Sequence, residues 1–264
     1  MGISPPFQAV VERLRSAGCV FAEDEARLIV STARTPDEVA VMVERRAIGL
    51  PLEQVLGWAE FCGLRVAVDP GVFVPRRRTE FLVRQAVALA RRGGVVVDLC
   101  CGSGALGVAV AAALGEVELH AADLDPAAVR CARRNVEPLG GHVHEGDLFA
   151  ALPSALRGRI DVLLSNVPYV PTGEVGLLPA EARLHEARMA LDGGADGLDV
   201  LRRVAAEAPR WLAPGGHLLV ETSERQVAAA AGALSRHGLT PRIARSEELD
   251  AVVVIGARGT GTPG

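Results

Sequence analysis

The 264-residue sequence contains no lysine, so all 28 of its basic residues are arginine. That absence removes the phosphate-gripping lysine of P-loop enzymes, Schiff-base chemistry and lysine general bases. Aromatic residues are scarce, at 3% of the chain, and Tyr169 is its one tyrosine; asparagine occurs only at Asn135 and Asn166. There is no surplus of positive charge. A net charge of −4 argues against broad, non-specific nucleic-acid binding, which needs a basic face, though a local basic patch is compatible with it. No apolar run approaches the length of a membrane span, and Met1 to Val20 carries no signal-peptide pattern, so a soluble, cytoplasmic chain that keeps off membranes is expected. The five cysteines (Cys19, Cys62, Cys100, Cys101 and Cys131) are odd in number and lack paired C-x-x-C spacing. They suit reduced thiols better than a disulfide framework or a zinc site, and no metal is expected.

What is present is a folded, globular composition: 49% apolar residues and 23% charged ones. At this length it can hold one large α/β domain and a small appendage. The most informative stretch is Val95-Val-Val-Asp98-Leu-Cys100-Cys-Gly102-Ser-Gly104-Ala-Leu-Gly107. β-Branched residues run into a loop of small residues and then into the alanine-rich helical pattern Ala105 to Leu114. Strand, tight turn and helix follow, with glycines that let backbone approach a ligand and a helix N-terminus offering unpaired N–H groups. The literal G-x-G-x-x-G string suits a dinucleotide, but a tight structural turn gives the same letters. Two carboxylates sharpen the reading. Asp123, closing the apolar run Val117 to Ala122, can accept hydrogen bonds from both hydroxyls of a ribose. Asp98 would repel a pyrophosphate and attract a cationic amino-acid group. S-adenosylmethionine unites a ribose with such a group, and it is the expected ligand.

In chain order, residues 1–56 show helical periodicity, and Thr35-Pro-Asp-Glu38 is a helix start, so a small helical N-terminal domain is expected, as scaffold or as substrate-recognition platform. Residues 57–75 read as a β-hairpin linker broken at Gly63 and Asp69-Pro-Gly71. Arg76-Arg77-Arg78 reads either as a solvated face or as a contact for an acidic partner. Residues 76–256 then alternate strand and helix, which implies an α/β, doubly wound, mostly parallel sheet with helices on both faces. Thr240–Ala244 and Ala251–Ile255, with no helix between them, suggest an antiparallel hairpin at the edge, and 257–264 a flexible tail. His142-x-His144 lacks a third ligand of convincing spacing and reads as strand. Asp147, followed by Leu148, closes the third core strand on the ligand side, where it could accept a hydrogen bond from an adenine amino group.

Ile160 to Ser165 is a buried-strand run that ends in Asn166-Val167-Pro168-Tyr169. In an α/β sheet that position lines the ligand crevice. Here the chain resembles a family. Asn-Pro-Pro-Tyr after the fourth strand marks methyltransferases acting on planar, poorly nucleophilic nitrogens, both adenine-N6 enzymes and protein-(glutamine-N5) methyltransferases. The wider pattern is similar to the glutamine enzymes that modify peptide-chain release factors. It includes Pro51-Leu-Glu-Gln-Val-Leu-Gly57, Val74-Pro-Arg76 through Thr79-Glu80, the donor loop, Ala190-Leu-Asp-Gly-Gly194 with Asp196-Gly-Leu198, and Leu212-Ala-Pro-Gly-Gly216. The resemblance implies a seven-stranded, Rossmann-like class I methyltransferase. Its S-adenosylmethionine would be held by Asp98, the loop Cys100, Gly102 and Gly104, Asp123, Asp147 with Leu148, and Asn166. It further implies that the Asn166 side-chain oxygen and the Val167 carbonyl accept the two hydrogens of the substrate amide. Pro168 would shape that turn, and Tyr169 would pack on the reacting amide and sulfonium. A protein substrate, either a release factor with its Gly-Gly-Gln loop or another translation protein, and a monomeric enzyme are expected.

Three departures stand out. Val167 replaces the family's proline, which gives up a fixed φ but keeps the carbonyl acceptor. Cys100 replaces the first loop glycine, which is tolerable where φ is negative. Arg77-Arg78 replaces a Pro-acid pair. The rival readings are an adenine-N6 methyltransferase on nucleic acid, a small-molecule N-methyltransferase, and, in another class, an NAD-linked oxidoreductase, which leaves Asp98 and the Asn166–Tyr169 segment unexplained.

Overall fold

A computed structural model describes residues 7–261. Four helices come first: α1 (Phe7–Ser16), α2 (Ala22–Thr32), α3 (Pro36–Ala47) and the short α4 (Leu52–Leu56). Helix α3 starts where the sequence signal lies, with Pro36 in the first turn and the Thr35 hydroxyl accepting from the Glu38 N–H at 3.2 Å. Val10, Leu14, Ala26, Ile29 and Val43 form a small apolar core of their own. Arg46 ties this unit together and to the rest of the chain. Its guanidinium bonds both oxygens of the buried Glu25, the Leu50 carbonyl at 2.9 Å and Glu181 at 2.6 Å.

Strands β1 (Trp58–Phe61) and β2 (Leu64–Ala67) pair antiparallel. Cys62 and Gly63 turn between them with φ of 50° and 74°, the two-residue hairpin geometry that suits strand twist. Pairing stops at Ala67, so the expected hairpin linker is a hairpin only over its first half. Asp69-Pro-Gly71 ends the ladder. The rest is an extended strap, fixed where Gln54 Nε2 donates to the Val72 carbonyl and the Val74 N–H donates to Glu186.

After α5 (Glu80–Leu89) come β3 (Val95–Leu99), α6 (Ala105–Leu114), β4 (Glu118–Asp123), α7 (Pro126–Val136), β5 (His142–Glu145), β6 (Ile160–Ser165), α8 (Ala180–His185), α9 (Asp199–Trp211), β7 (Leu212–Thr222), α10 (Val227–Arg236), β8 (Leu239–Ser246) and β9 (Ala251–Arg258), the expected alternation with α8 as an element the sequence pattern did not announce. The seven core strands lie in the order β5-β4-β3-β6-β7-β9-β8. The first five are parallel; β9 runs antiparallel to both β7 and β8. Side chains alternate across the sheet. Val96, Val162 and Leu164 pack with α5, α6 and α7 on one face, and Val97, Leu163 and Leu99 with α9 and α10 on the other. Two apolar layers on one parallel sheet are the doubly wound architecture. The order also puts β3 and β6 side by side at its centre, with their C-terminal ends at one edge, where the strand order reverses and ligands bind.

Strand β7 carries a bulge at Pro214-Gly215-Gly216 against Ile160, where a Cβ on Gly216 would stand 2.5 Å from the Ile160 carbonyl oxygen. The final strand runs on through Arg258, two residues into the expected tail, since β7 and β8 both offer it partners there. Residues 262–264 of that tail lie outside the described residues. Among the described residues, no helix is long and apolar enough to cross a membrane.

Candidate active site

The C-terminal ends of β3, β4, β5 and β6 open onto one cavity of about 690 Å³. It collects Cys100, Gly102, Asp123, Asp147, Leu148, Asn166, Val167, Pro168 and Tyr169. Asp98 and Gly104 are not among its lining residues. Both act from beneath. A Cβ on Gly104 would stand 2.8 Å from Val136 Cγ2, so this glycine permits α6 to pack on α7 rather than a ligand to approach. Asp98 is 1% exposed, and its Oδ2 accepts the Gly107 N–H at 3.0 Å from the first turn of α6. Burial pushes its carboxyl up to about 8, against the pull of that hydrogen bond; nearby Asp123 adds to the rise. A buried acid so poised is stabilised in its charged form by a cation arriving above it.

The loop itself departs from expectation at Cys100, whose φ is +56° rather than negative. The turn out of β3 demands the left-handed region regardless of the residue there, and a side chain held in it is strained. Leu148 is held in the same region, with φ +49°. Burial, followed by the charges of Asp123 and Asp98, raises the Cys100 thiol well above its ordinary value, so it is a poor nucleophile.

Asp123 ends β4 with its oxygens accepting the Gly102 N–H at 2.8 Å and the Asp125 N–H at 2.9 Å. A carboxylate oxygen can accept more than one hydrogen bond, so each keeps acceptor capacity beyond these. Burial raises its pKa, and those two backbone bonds oppose the rise. Asp147 is not free for a ligand alone: its Oδ2 accepts from Arg203 of α9 at 2.6 Å, a cavity residue that sequence reasoning passed over. No sequence periodicity could link residues 147 and 203.

Asn166-Val167-Pro168-Tyr169 leaves β6 under unusually tight control. Gln226 Nε2 donates to both the Tyr169 and Asp196 carbonyls at 2.9 Å. The Gly193 N–H donates to the Val170 carbonyl at 2.8 Å, and the Val170 N–H to the Leu191 carbonyl at 3.1 Å. A Cβ on Gly193 would meet the Pro168 carbonyl oxygen at 2.5 Å, and one on Gly197 would overlap the Tyr169 carbonyl. Val167 is 1% exposed within the α9/α10 apolar layer, so packing supplies the restraint that a proline ring would have given.

Among the described residues, four buried side-chain polar atoms lack a hydrogen-bond partner: Thr79 Oγ1, Ser165 Oγ, Asn166 Oδ1 and Glu221 Oε2. Thr79 and Asn166 line the cavity. Ser165 directly precedes Asn166, and Glu221 accepts a hydrogen bond from the Tyr169 hydroxyl. Orphaned polar atoms are costly in a core, and these four lie on or next to one cavity.

The arginine run is not a simple solvated face. Arg76 grips both oxygens of Glu186 at 2.6 and 2.7 Å, and Glu186 is a buried carboxylate whose pKa burial raises and Arg76 lowers. Arg78 reaches Tyr169 and Glu221. Glu186 and Glu221 were missed because an acid buried by tertiary packing looks, in sequence, like any surface acid. His120 on β4 stacks with His144 and lies tilted against His142 on β5, with His120 Nδ1 and His144 Nε2 3.0 Å apart; among the described residues no group of three or more ligating side chains is placed to hold a metal ion.

The sequence model of the family described as Methyltransferase small domain matches residues 63–197. The chain is 41% identical over 208 residues to the release factor glutamine methyltransferase of Geobacter sulfurreducens, covering 77% of this chain and 72% of that protein. It is 39% identical over 193 residues to the 4-amino-L-phenylalanine/4-methylamino-L-phenylalanine methyltransferase of Streptomyces pristinaespiralis, covering 70% of this chain and 65% of that protein. Among solved structures, a methyltransferase from Pyrococcus furiosus superposes with a TM-score of 0.57 over 75% of this chain and 90% of its own, at 18% identity, which is a likeness of fold.

Proposed function

This chain belongs to the release factor glutamine methyltransferases, and we propose that it transfers a methyl group from S-adenosylmethionine to the side-chain nitrogen of a glutamine in a peptide-chain release factor. The observation that carries the assignment of the acceptor site is the buried, unpartnered Asn166 Oδ1, held at the cavity wall on a backbone that several independent contacts immobilise. A primary amide has two N–H donors and a nitrogen whose lone pair is delocalised into its carbonyl. Asn166 Oδ1 and the Val167 carbonyl would accept those two hydrogens, aim the nitrogen and favour the positive charge that develops on it.

The cavity fits the donor. Asp123 would take the ribose hydroxyls, the 147–148 turn the adenine, and the loop backbone at Cys100 and Gly102 the methionine part, with Asp98 supplying negative charge from below. The bound donor supplies an electrophilic methyl on a sulfonium. The protein's own groups bind, orient and exclude water; none needs to act as a strong base before transfer, because the proton can leave after the nitrogen is alkylated. In this reading residues 1–56 recognise the macromolecular substrate, 57–75 link, 76–256 carry out transfer, and the enzyme works as a cytoplasmic monomer.

A second reading, a small aromatic amine as acceptor, is favoured by one finding: the relative whose name specifies 4-amino-L-phenylalanine is 39% identical. Peptide mass spectrometry separates the two. Purified release factors and 4-amino-L-phenylalanine are each incubated with the protein and S-adenosylmethionine. A one-methyl gain on the glutamine of the release factor's Gly-Gly-Gln loop, abolished by Asn166→Ala, is the expected result. Methylation of the amine alone would overturn the release-factor assignment.

A further inference from the structure

Tyr169 is gripped by two residues that lie far from it in sequence. Glu221, at the C-terminal end of β7, is 2% exposed. Its Oε1 accepts the Tyr169 hydroxyl at 3.0 Å and lies 3.2 Å from Arg78 Nε. Arg78 also donates to the Tyr169 hydroxyl oxygen, and its guanidinium carbon stands 5.7 Å from the centre of the tyrosine ring. Phenol, carboxylate and guanidinium therefore close a three-membered set, one member each from the β6 exit, the end of β7 and the strap before α5.

We propose that Arg78 and Glu221 are positioning residues for the methyl transfer, fixing the Tyr169 ring against the reacting amide. The proposal rests on the reading that Tyr169 packs on the acceptor. A tyrosine ring has one polar handle, its hydroxyl, and two soft torsions. Anchoring the hydroxyl to a buried carboxylate settles the ring before the acceptor arrives, so that ordering is not charged against the reaction. Arg78 supplies the countercharge without which Glu221 would stand buried and unpaired, so it keeps the carboxylate in place as the anchor of the hydroxyl. Its side chain is 49% exposed, so it can be shortened without opening a core.

The test uses the full-length chain with Arg78→Met, Arg78→Lys and Glu221→Gln. Donor affinity, read by calorimetry with S-adenosylmethionine, is expected to stay within about twofold, which also reports that each variant folds. With release factor as acceptor, Arg78→Met is expected to lower kcat about tenfold with little change in acceptor KM, and Arg78→Lys to recover most of it. Because Tyr169 is the one tyrosine, phenolate absorbance after a rapid jump to about pH 11 reports on it alone. Burial and then Glu221 hold its pKa well above the ordinary value. Glu221→Gln is expected to increase the ionised fraction, and Arg78→Met to leave it at or below that of the unsubstituted protein. Unchanged kcat in Arg78→Met, or a phenol titration unmoved by Glu221→Gln, would overturn the proposal. If the unsubstituted protein leaves release factors unmethylated, the acceptor reading fails instead, and the titration, which needs no acceptor, still decides whether the pair grips the ring.

Discussion

At the scale of single residues, the loop proposed to hold the donor is flanked by two carboxyls, Asp98 and Asp123, whose burial works against their charge. Asp98 is the sharpest case. Its folded-state pKa of about 8 lies above the ordinary 3.8, so the stability it contributes is complete below the ordinary value and is lost as pH rises through about 8. Asp98→Asn keeps an oxygen for the Gly107 N–H and has no charge to bury. Thermal unfolding across that range should therefore show the ligand-free variant more stable than the unsubstituted protein above about pH 8, with the difference vanishing toward pH 4. Donor binding should move the other way. A cation above Asp98 favours the ionised form, so binding releases a proton and affinity for S-adenosylmethionine weakens as pH falls from about 8; in Asp98→Asn that dependence disappears and affinity drops. Calorimetry in buffers of different ionisation enthalpy measures both. The acid at 98 was legible from its place in the motif. Its burial beneath the loop, out of the cavity wall, was not, because position in a strand does not tell which atoms a neighbouring helix covers.

At the scale of elements, the turn leaving β6 shows how one short stretch is shaped by others remote in sequence. Asn166 to Tyr169 lies against the glycines at 193 and 197 and under Gln226. Gly193→Ala would drive a methyl to within 2.5 Å of the Pro168 carbonyl oxygen. The tetrapeptide must then shift by a fraction of an ångström to an ångström, and kcat is expected to fall by up to about 100-fold with donor affinity preserved. Steady-state kinetics alongside donor titration checks the split. The Asp-Gly-Gly pattern around 192–194 was visible as part of the family resemblance, yet what those glycines accommodate came only from the contact. Val167 makes the complementary point: the lost proline restraint is replaced by burial in the α9/α10 layer.

At the scale of the whole molecule, the N-terminal helices meet the rest of the chain through apolar packing that includes Trp58 and through polar ties, of which Arg46 is the hub. The Arg46 and Glu25 side chains are only 11% and 10% exposed. Removing the arginine leaves a buried carboxylate unpaired, a loss of about 3–5 kcal/mol, and also severs the link to Glu181 at the cavity rim. Arg46→Ala should therefore loosen residues 7–47 in hydrogen exchange and raise the acceptor KM, with donor affinity unchanged. Should acceptor KM hold steady while those helices loosen, they would be scaffold rather than recognition surface.

The sequence by itself determined the alternation of elements, the doubly wound sheet, the antiparallel closing strands and the placing of the candidate site residues at the ends of β3, β4, β5 and β6. It could do so because periodicity, turn chemistry and the strand–loop–helix motif are local, carried by residues a few positions apart. Only the tertiary structure decided that Cys100 sits at positive φ, that Asp147 is shared with Arg203, and that Arg76 and Arg78 serve Glu186 and Glu221. Each of these is a meeting of side chains separated by tens of residues or a backbone angle imposed by the packing around it. Whether a charge is buried, paired or free is a property of the assembled fold, since it depends on everything that comes to surround the residue.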